Sequence, residues 1–170
     1  LPYMDDTKGL EELLNKWQGG IELVTEGLNW GDHPLDWEEE ADRFESFSGE
    51  LSVHTPIFEL NLASSRYRVI SEYSFEVYKQ SLQWAAKIGA KHAVVHPNLH
   101  STPIYHRQEA QKCSKEYLRQ LGKLGERLGV KVLVENVGFH ETVLFDQEEF
   151  IRLFDDISQI DALLDVGHAH

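Results

Sequence analysis

The sequence is poor in cysteine and lacks any long hydrophobic run. Its single cysteine, Cys113, excludes an internal disulfide framework and favours a reducing, cytoplasmic environment. No apolar segment approaches the roughly 20 residues that a membrane-spanning helix requires. The first residues also lack the basic and apolar parts of a signal peptide. We therefore expect a cytoplasmic protein with no membrane partner, in which Cys113 is chemically inert.

Positive charge is scarce as well. The 16 Lys and Arg residues stand against 29 Asp and Glu residues, which gives a formal net charge of −13. Binding to nucleic acid depends on clustered Lys and Arg that displace counterions from phosphates, and the sequence contains no such cluster. A nucleic-acid partner would need a local site and is not favoured. The acidic balance instead suits a site that collects cations.

Apolar runs rich in β-branched residues alternate with amphipathic segments along the chain. At 170 residues, with 41% hydrophobic and 26% charged residues, the composition is that of one globular domain. The pattern predicts strands over residues 21–24, 51–54, 92–96, 130–135 and 162–165. It predicts helices over residues 8–17, 36–47, 71–88, 108–128 and 147–157. A capping box from Asp146 to Glu149 opens the last helix. This alternation is typical of an α/β protein with a parallel sheet.

The residues at the strand ends distinguish two parallel-sheet folds. No glycine-rich phosphate fingerprint is present, so a dinucleotide-binding fold lacks its main support. A (β/α)8 TIM barrel places functional side chains at the carboxyl ends of several strands, as this sequence does, and takes roughly 250 residues. We therefore interpret residues 1–170 as a single, incomplete barrel domain, about strands two to six with their helices. Its open edges predict self-association.

Four predicted strands end in side chains that commonly bind metals: His54, His96, Glu135 and Asp165. Because the ends of parallel strands converge, these groups should surround one mouth, and His168 joins them if Gly167 lets the chain bend back. A single histidine is more often a structural or solvated residue, but five such groups at one end favour a metal site. Imidazole and carboxylate bind zinc, manganese, cobalt or magnesium. A cation would also offset the burial of carboxylates.

Weaker candidates for contact with a substrate lie beside these residues. They are Asn136, Glu26 and His170, and each is also explained as a structural or surface residue. The loop histidines on the same side are His100, His106 and His140. Trp30 and Phe58 could form apolar walls of a binding site, although packing explains them equally well. His33 and His92 carry no functional argument.

Five motifs resemble the xylose isomerase-like barrel superfamily. This superfamily includes sugar isomerases and epimerases, and also the endonuclease IV-type enzymes (AP endonuclease family 2) that cut at abasic sites. The motifs are S-V-H-T-P at 52–56, N-L-A-S at 61–64, V-H-P-N at 95–98, V-E-N-V-G at 134–138 and L-D-V-G-H-A at 164–169. Each motif is short. Their order and their placement at strand ends, over nearly the whole chain, make the resemblance specific.

The resemblance implies roles for individual residues. Glu135 and Asp165 match metal ligands that are shared across the superfamily. His54, His96 and His168 match positions that the endonuclease branch uses around a multi-zinc site. In the epimerase branch, the residue that matches His168 binds substrate instead. Further ligands are expected on strands seven and eight of the barrel.

Departures from the endonuclease pattern favour the sugar enzymes. Asn98 stands where a glycine usually follows His-Pro, and residues 137–139 replace a threonine-alanine-glycine run. We therefore expect a sugar or sugar-phosphate isomerase or epimerase, in which a divalent metal stabilises an enediolate and Glu135 is both ligand and catalytic base. The alternative is an endonuclease IV-like zinc phosphodiesterase acting at abasic DNA, which the pair of His54 and His96 supports. A third hypothesis is a fragment that associates without binding metal.

Overall fold

The computed structural model describes residues 7–33, 35–97, 106–137 and 143–168. Within them, the strands are β1 (Ile21–Val24), β2 (Leu51–His54), β3 (His92–Val95), β4 (Lys131–Glu135) and β5 (Ile160–Leu163). The helices are α1 (Thr7–Lys16), α2 (Trp37–Asp42), α3 (Arg68–Lys87), α4 (Arg107–Leu128) and α5 (Gln147–Asp156). The predicted alternation of strands and helices is confirmed.

The strands form one parallel sheet in their order along the chain, from β1 to β5. The register aligns Val24 with His54, His54 with Val94, and Glu135 with Leu163. A helix connects each strand to the next, which is the repeating unit of a TIM barrel. Because all strands run in one direction, their carboxyl ends meet at one side of the sheet. We call this side the rim.

The main core lies between the sheet and the long helices α3 and α4. Alternate strand side chains face these helices and are fully buried, among them Val53, Ala93, Val95 and Val134. The helices contribute Leu82, Leu118 and Leu121, which are also fully buried. Since successive strand residues point to opposite faces, the residues next to these apolar side chains face the barrel interior. The same packing therefore directs His54, His96 and Glu135 away from the core.

Several element boundaries differ from the sequence-based prediction, and the ends of β5 and α2 are the two that matter most here. Strand β5 ends at Leu163, so Asp165 lies two residues beyond the strand and not at its end. Helix α2 ends at Asp42 and not at residue 47, because the following N–H groups reach back only three residues, as Phe44 does to Ala41. Cys113, although it lies in a polar run of sequence, is buried.

The capping box predicted at the start of α5 is confirmed. The Asp146 side chain accepts from the Glu149 N–H, and the Glu149 side chain accepts from the Asp146 N–H, both at 2.9 Å. These two bonds satisfy donors that a helix start leaves unpaired. None of the described helices has the length and apolar character needed to cross a membrane.

Candidate metal centre at the rim

Five of the candidate ligands lie together at the rim in two overlapping clusters. The ligand atoms of His54, His96 and Glu135 lie within 4.8 Å of one another, and so do those of Glu135, Asp165 and His168. Glu135 belongs to both clusters. The parallel strands thus bring together side chains that are far apart in the sequence, and their role as metal ligands stays a prediction.

The first cluster is almost closed to solvent. His54 Nε2 and His96 Nε2 each lie 3.3 Å from Glu135 Oε2. The two imidazole rings meet edge to face, with 4.9 Å between their centroids. Glu135 is 5% exposed and His96 is 6% exposed. One carboxylate oxygen therefore contacts two imidazoles in a buried site, where its charge needs compensation.

The protonation of His54 follows from its second contact. Its Nδ1 lies 2.9 Å from the carbonyl oxygen of Thr55, which can only accept, so Nδ1 carries a proton. In a neutral ring, Nε2 would then present a lone pair to Glu135 Oε2, with no hydrogen between the two acceptors. The contact is favourable only when a proton or a metal cation lies there. Histidines that bind metals commonly donate their other ring N–H to a backbone carbonyl in this way.

The pKa shifts in the first cluster favour an ion pair when no metal is bound. Burial alone would raise the pKa of the Glu135 carboxyl, but hydrogen bonds with His54 and His96 outweigh burial and hold that pKa well below its usual range. Burial would lower the pKa of His54, yet hydrogen bonds with Glu135 and the Thr55 carbonyl raise it above its ordinary value. Both shifts favour an ionised Glu135 beside a protonated His54.

The second cluster is more open and lies between β4 and the chain that follows β5. His168 Nδ1 lies 3.1 Å from Glu135 Oε1 and 3.6 Å from Asp165 Oδ2. The same nitrogen lies 2.9 Å from the main-chain oxygen of Asn136, so it carries a proton and leaves Nε2 with the lone pair of a neutral ring. The His168 side chain is 43% exposed. It is therefore accessible both to an ion and to a substrate.

The turn that returns His168 to Glu135 is built around the Asp165 carboxylate. Asp165 Oδ1 accepts from the N–H of Gly167 at 2.5 Å and from the N–H of His168 at 3.3 Å. Gly167 does not have a positive φ, so the return does not depend on a conformation that only glycine favours. A Cβ at this position would lie 3.0 Å from Asp165 Oδ1. The glycine gives room for the carboxylate, which differs from the backbone freedom expected from the sequence.

The residues present fit a divalent cation. Two imidazole nitrogens and one carboxylate oxygen form a typical donor set for zinc and related ions. The two oxygens of Glu135 face different clusters, Oε2 towards His96 and Oε1 towards His168. His96 Nδ1 is buried without a hydrogen-bond partner in the described part of the chain. In the tautomer in which His96 Nε2 offers its lone pair to a metal, Nδ1 carries the proton and has no acceptor among the described residues.

Two threonines that the sequence analysis missed tie the strands together at the rim. Thr25 donates to the His54 carbonyl from its N–H at 3.0 Å and from its hydroxyl at 3.2 Å. Thr55 makes the same pair of bonds to the Val94 carbonyl, at 3.0 Å and 2.8 Å. Both threonines are fully buried. Each is the first residue after a strand, and this repeated position is the signal that could have identified them.

Three predicted wall and contact residues share one cavity. Glu26, Trp30 and Phe58 line a space of about 550 Å³, and the aromatic side chains of Trp30 and Phe58 are exposed. Glu26 Oε2 accepts from the Ile57 N–H at 2.9 Å, which fixes the carboxylate at the edge of this space. The structure therefore brings these three residues together, and their contact with a substrate stays a prediction.

The other candidates lie outside both clusters or outside the described residues. Asn136 is buried, and its side-chain amide bonds to the main chain of Asp165. His106 contacts Arg66 at the start of α4. His92 lies beside Glu50, at the end of the sheet away from the rim. His33 accepts a hydrogen bond from the Leu35 N–H. The candidates outside the described residues are His100, His140 and His170.

Comparison with protein families gives a match to a family model described as the xylose isomerase-like TIM barrel, over residues 18–170. An uncharacterized protein of Methanocaldococcus jannaschii is 25% identical over 167 residues, which is 98% of this chain and 65% of that protein. The matched region of the family model contains all five strands and both clusters. The chain spans less than two thirds of the length of this relative.

Three solved structures share the fold at low sequence identity. A D-tagatose 3-epimerase-like protein has a TM-score of 0.78 and 21% identity, over 95% of this chain and 61% of that one. A D-psicose 3-epimerase with D-tagatose from Clostridium cellulolyticum H10 has a TM-score of 0.73 and 16% identity, over 99% and 59%. A Thermus thermophilus protein soaked with zinc chloride has a TM-score of 0.67 and 21% identity, over 97% and 63%.

We predict that the ion pair in the first cluster makes the stability of the metal-free protein depend on pH. Because the pKa of Glu135 is lowered on folding, this group stabilises the fold at pH values above its ordinary pKa of about 4.3. Because the pKa of His54 is raised on folding, that group stabilises the fold at pH values below its ordinary pKa of about 6.5. The contribution of His54 is lost as the pH rises through its raised pKa in the folded protein. Glu135→Gln should therefore lower the free energy of unfolding by about 2 kcal/mol near pH 5.5 and by less near pH 8.5.

Urea unfolding in the presence of a chelator measures this difference. Glu50→Gln is the matched control, because Glu50 also contacts a histidine, His92, but is 61% exposed. The control should change stability little at either pH. An effect of Glu135→Gln that grows towards high pH would contradict the ion pair.

Proposed function

The chain belongs to the xylose isomerase-like TIM barrel family, and on that premise we propose that it acts as a cytoplasmic, divalent-metal-dependent sugar or sugar-phosphate isomerase or epimerase. The observation that carries this proposal is the position of Glu135. Its buried carboxylate lies at the rim, with one oxygen beside two histidines and the other beside a third. The proposed metal ligands are His54, His96, Glu135, Asp165 and His168.

The chemistry of these sugars needs two things at the rim. A divalent cation would supply charge that polarises the carbonyl and hydroxyl oxygens of the sugar. A base must also remove a proton from the carbon beside the carbonyl. Glu135 is the proposed base, because its carboxylate turns one oxygen, Oε1, towards the partly exposed His168, where a sugar can approach. The partly exposed His168 is the proposed contact with the sugar oxygens.

A ketose or its phosphate is the proposed substrate class. The D-tagatose 3-epimerase-like protein and the D-psicose 3-epimerase with D-tagatose share the fold. The cavity at Glu26 also supports a sugar, since Trp30 and Phe58 offer aromatic faces and Glu26 offers a hydrogen-bond acceptor. Glu26 and His170 are proposed as further contacts with the substrate.

An endonuclease IV-like phosphodiesterase acting at abasic DNA is the second candidate. The first cluster favours it, because two buried histidines share one carboxylate and clustered metal ions suit phosphodiester hydrolysis. The zinc-soaked protein from Thermus thermophilus shares the fold. The net charge of −13 and the lack of clustered Lys and Arg weigh against a DNA substrate.

We predict that the chain binds a divalent ion through the first cluster. His96→Ala should weaken zinc or manganese binding at least about tenfold, because it removes a buried donor from the set. His92→Ala is the matched control, since it makes the same change in β3 at the end away from the rim. Isothermal titration of chelator-treated protein measures the affinity. Equal affinity in wild type and His96→Ala would exclude this cluster as the binding site.

We also predict metal-dependent proton exchange on ketose sugars. In deuterium oxide, the carbon beside the carbonyl should gain deuterium, detected by NMR, because the base returns a solvent-derived proton. Glu135→Gln should slow this exchange at least about 100-fold, whereas the exposed Glu50→Gln should not. Cleavage of an oligonucleotide with an abasic site, without sugar exchange, would favour the second candidate.

Self-association through the sheet edges completes the proposal. Within the described residues, β1 and β5 each pair with one neighbour. Their outer backbone groups can therefore pair with another chain. Leu164 and Val166, which follow β5, are exposed apolar residues. Size-exclusion chromatography with light scattering should show a dimer or a larger species. A monodisperse monomer would contradict this prediction.

A further inference from the structure

Asn136 connects Glu135 to the second cluster. It follows Glu135 directly at the end of β4, and only 1% of it is exposed. Its Oδ1 accepts from the Asp165 N–H at 2.6 Å, and its Nδ2 donates to the Asp165 carbonyl at 2.9 Å. One side-chain amide thus satisfies both backbone groups of Asp165.

This pairing extends the sheet by one step beyond the strands. The Asn136 N–H donates to the Leu163 carbonyl at 3.3 Å, and β5 ends at Leu163. A primary amide carries the same donor and acceptor as a peptide group, so it can replace the next main-chain pair of the ladder. Without it, the Asp165 N–H would lose its partner, and the Asp165 C=O would keep only the N–H of His168, at 3.3 Å. The Asn136 side chain therefore determines that β4 and the segment at Asp165 remain paired beyond the end of β5.

The main chain of Asn136 also fixes the imidazole of His168. Its carbonyl oxygen accepts the proton of His168 Nδ1 at 2.9 Å. The N–H groups of Gly167 and His168 in turn donate to the Asp165 carboxylate. Holding Asp165 therefore holds the turn that carries His168. The bond at Nδ1 selects the tautomer whose Nε2 is available as a ligand.

We propose that Asn136 is a positioning residue, which holds Asp165 and His168 against Glu135 before any ligand binds. The inference rests on the proposed function, since that function gives the second cluster its metal and its substrate. The sequence predicted that Asn136 contacts the substrate. Both polar atoms of its amide are instead engaged by Asp165, so its effect on a bound group passes through Asp165 and His168.

The proposal requires an amide at this position. Asn136→Ala removes the side-chain partner of the Asp165 N–H and leaves the Asp165 carbonyl with only the His168 N–H, at 3.3 Å. Asn136→Asp keeps the shape and the acceptor, but it turns a second acceptor towards the Asp165 carbonyl and replaces an attraction by a repulsion. Asn61→Asp is the matched control. Asn61 Oδ1 accepts from the Ala63 N–H at 2.9 Å, and an aspartate oxygen can accept the same bond.

Hydrogen exchange of the metal-free protein is the first test. In Asn136→Ala, the amides of residues 165–168 should exchange at least about fivefold faster, because their local opening is easier. The buried β3 amides of Val94 and Val95 report global opening and should keep their wild-type rates. If Asn136→Ala does not fold, Asn136→Asp is measured in its place. Unchanged exchange at residues 165–168 would overturn the proposal, as would equal acceleration at β3.

Metal affinity is the second test and separates this inference from the proposed function. His168→Ala identifies the zinc binding that depends on the second cluster. The affinity of that binding should be about 10- to 100-fold weaker in Asn136→Ala and Asn136→Asp, and unchanged in Asn61→Asp. Wild-type affinity in both Asn136 variants would overturn the positioning role while leaving the proposed function standing. A wild-type protein that binds no metal would overturn the proposed function, and the exchange measurement would still decide whether Asn136 holds the turn.

Discussion

The buried carboxylate of Glu135 is the constraint on which the rest of the rim depends. A carboxylate removed from water needs positive charge or several donors to replace the lost solvent. His54 and His96 provide them at one oxygen, and His168 does so at the other. These imidazoles come from β2, from the end of β3 and from the chain after β5. The charge is therefore compensated only when these segments are in register.

The rim keeps that register through side chains that continue the pairing where the strands end. Thr25, Thr55 and Asn136 each follow a strand directly, and each bonds to a backbone group of the next strand or its extension. The chain leaves the sheet soon after Thr25 and Thr55, and loops are the more variable part of a barrel. Because of these side-chain bonds, the positions of the ligands do not depend on the conformation of the loops.

Local pattern determines much of this arrangement but not all of it. Two-residue periodicity identified the strands, and their parallel order implied that His54, His96 and Glu135 would converge. From the apolar run at residues 162–164, the sequence predicted a β5 that ends two residues too late. In the structure, the side chain of Asn136, 29 residues away, pairs with the backbone of Asp165 after the strand has ended. The bonds of Thr25 and Thr55 also join residues 29 and 39 positions apart. Contacts of that range leave no local periodicity in a sequence.

The two oxygens of Glu135 lie in environments that differ in burial, and this difference bears on the chemistry. Oε2 faces a closed cluster, where Glu135 and His96 are only 5% and 6% exposed. An ion bound there can compensate the charge of the carboxylate, but a large substrate has little access to it. Oε1 faces His168 and Asp165, whose side chains are 43% and 40% exposed. Phosphodiester cleavage by clustered metal ions needs ions that reach the same phosphate. Proton transfer on a sugar, the reaction that we propose, needs only the open side at Oε1.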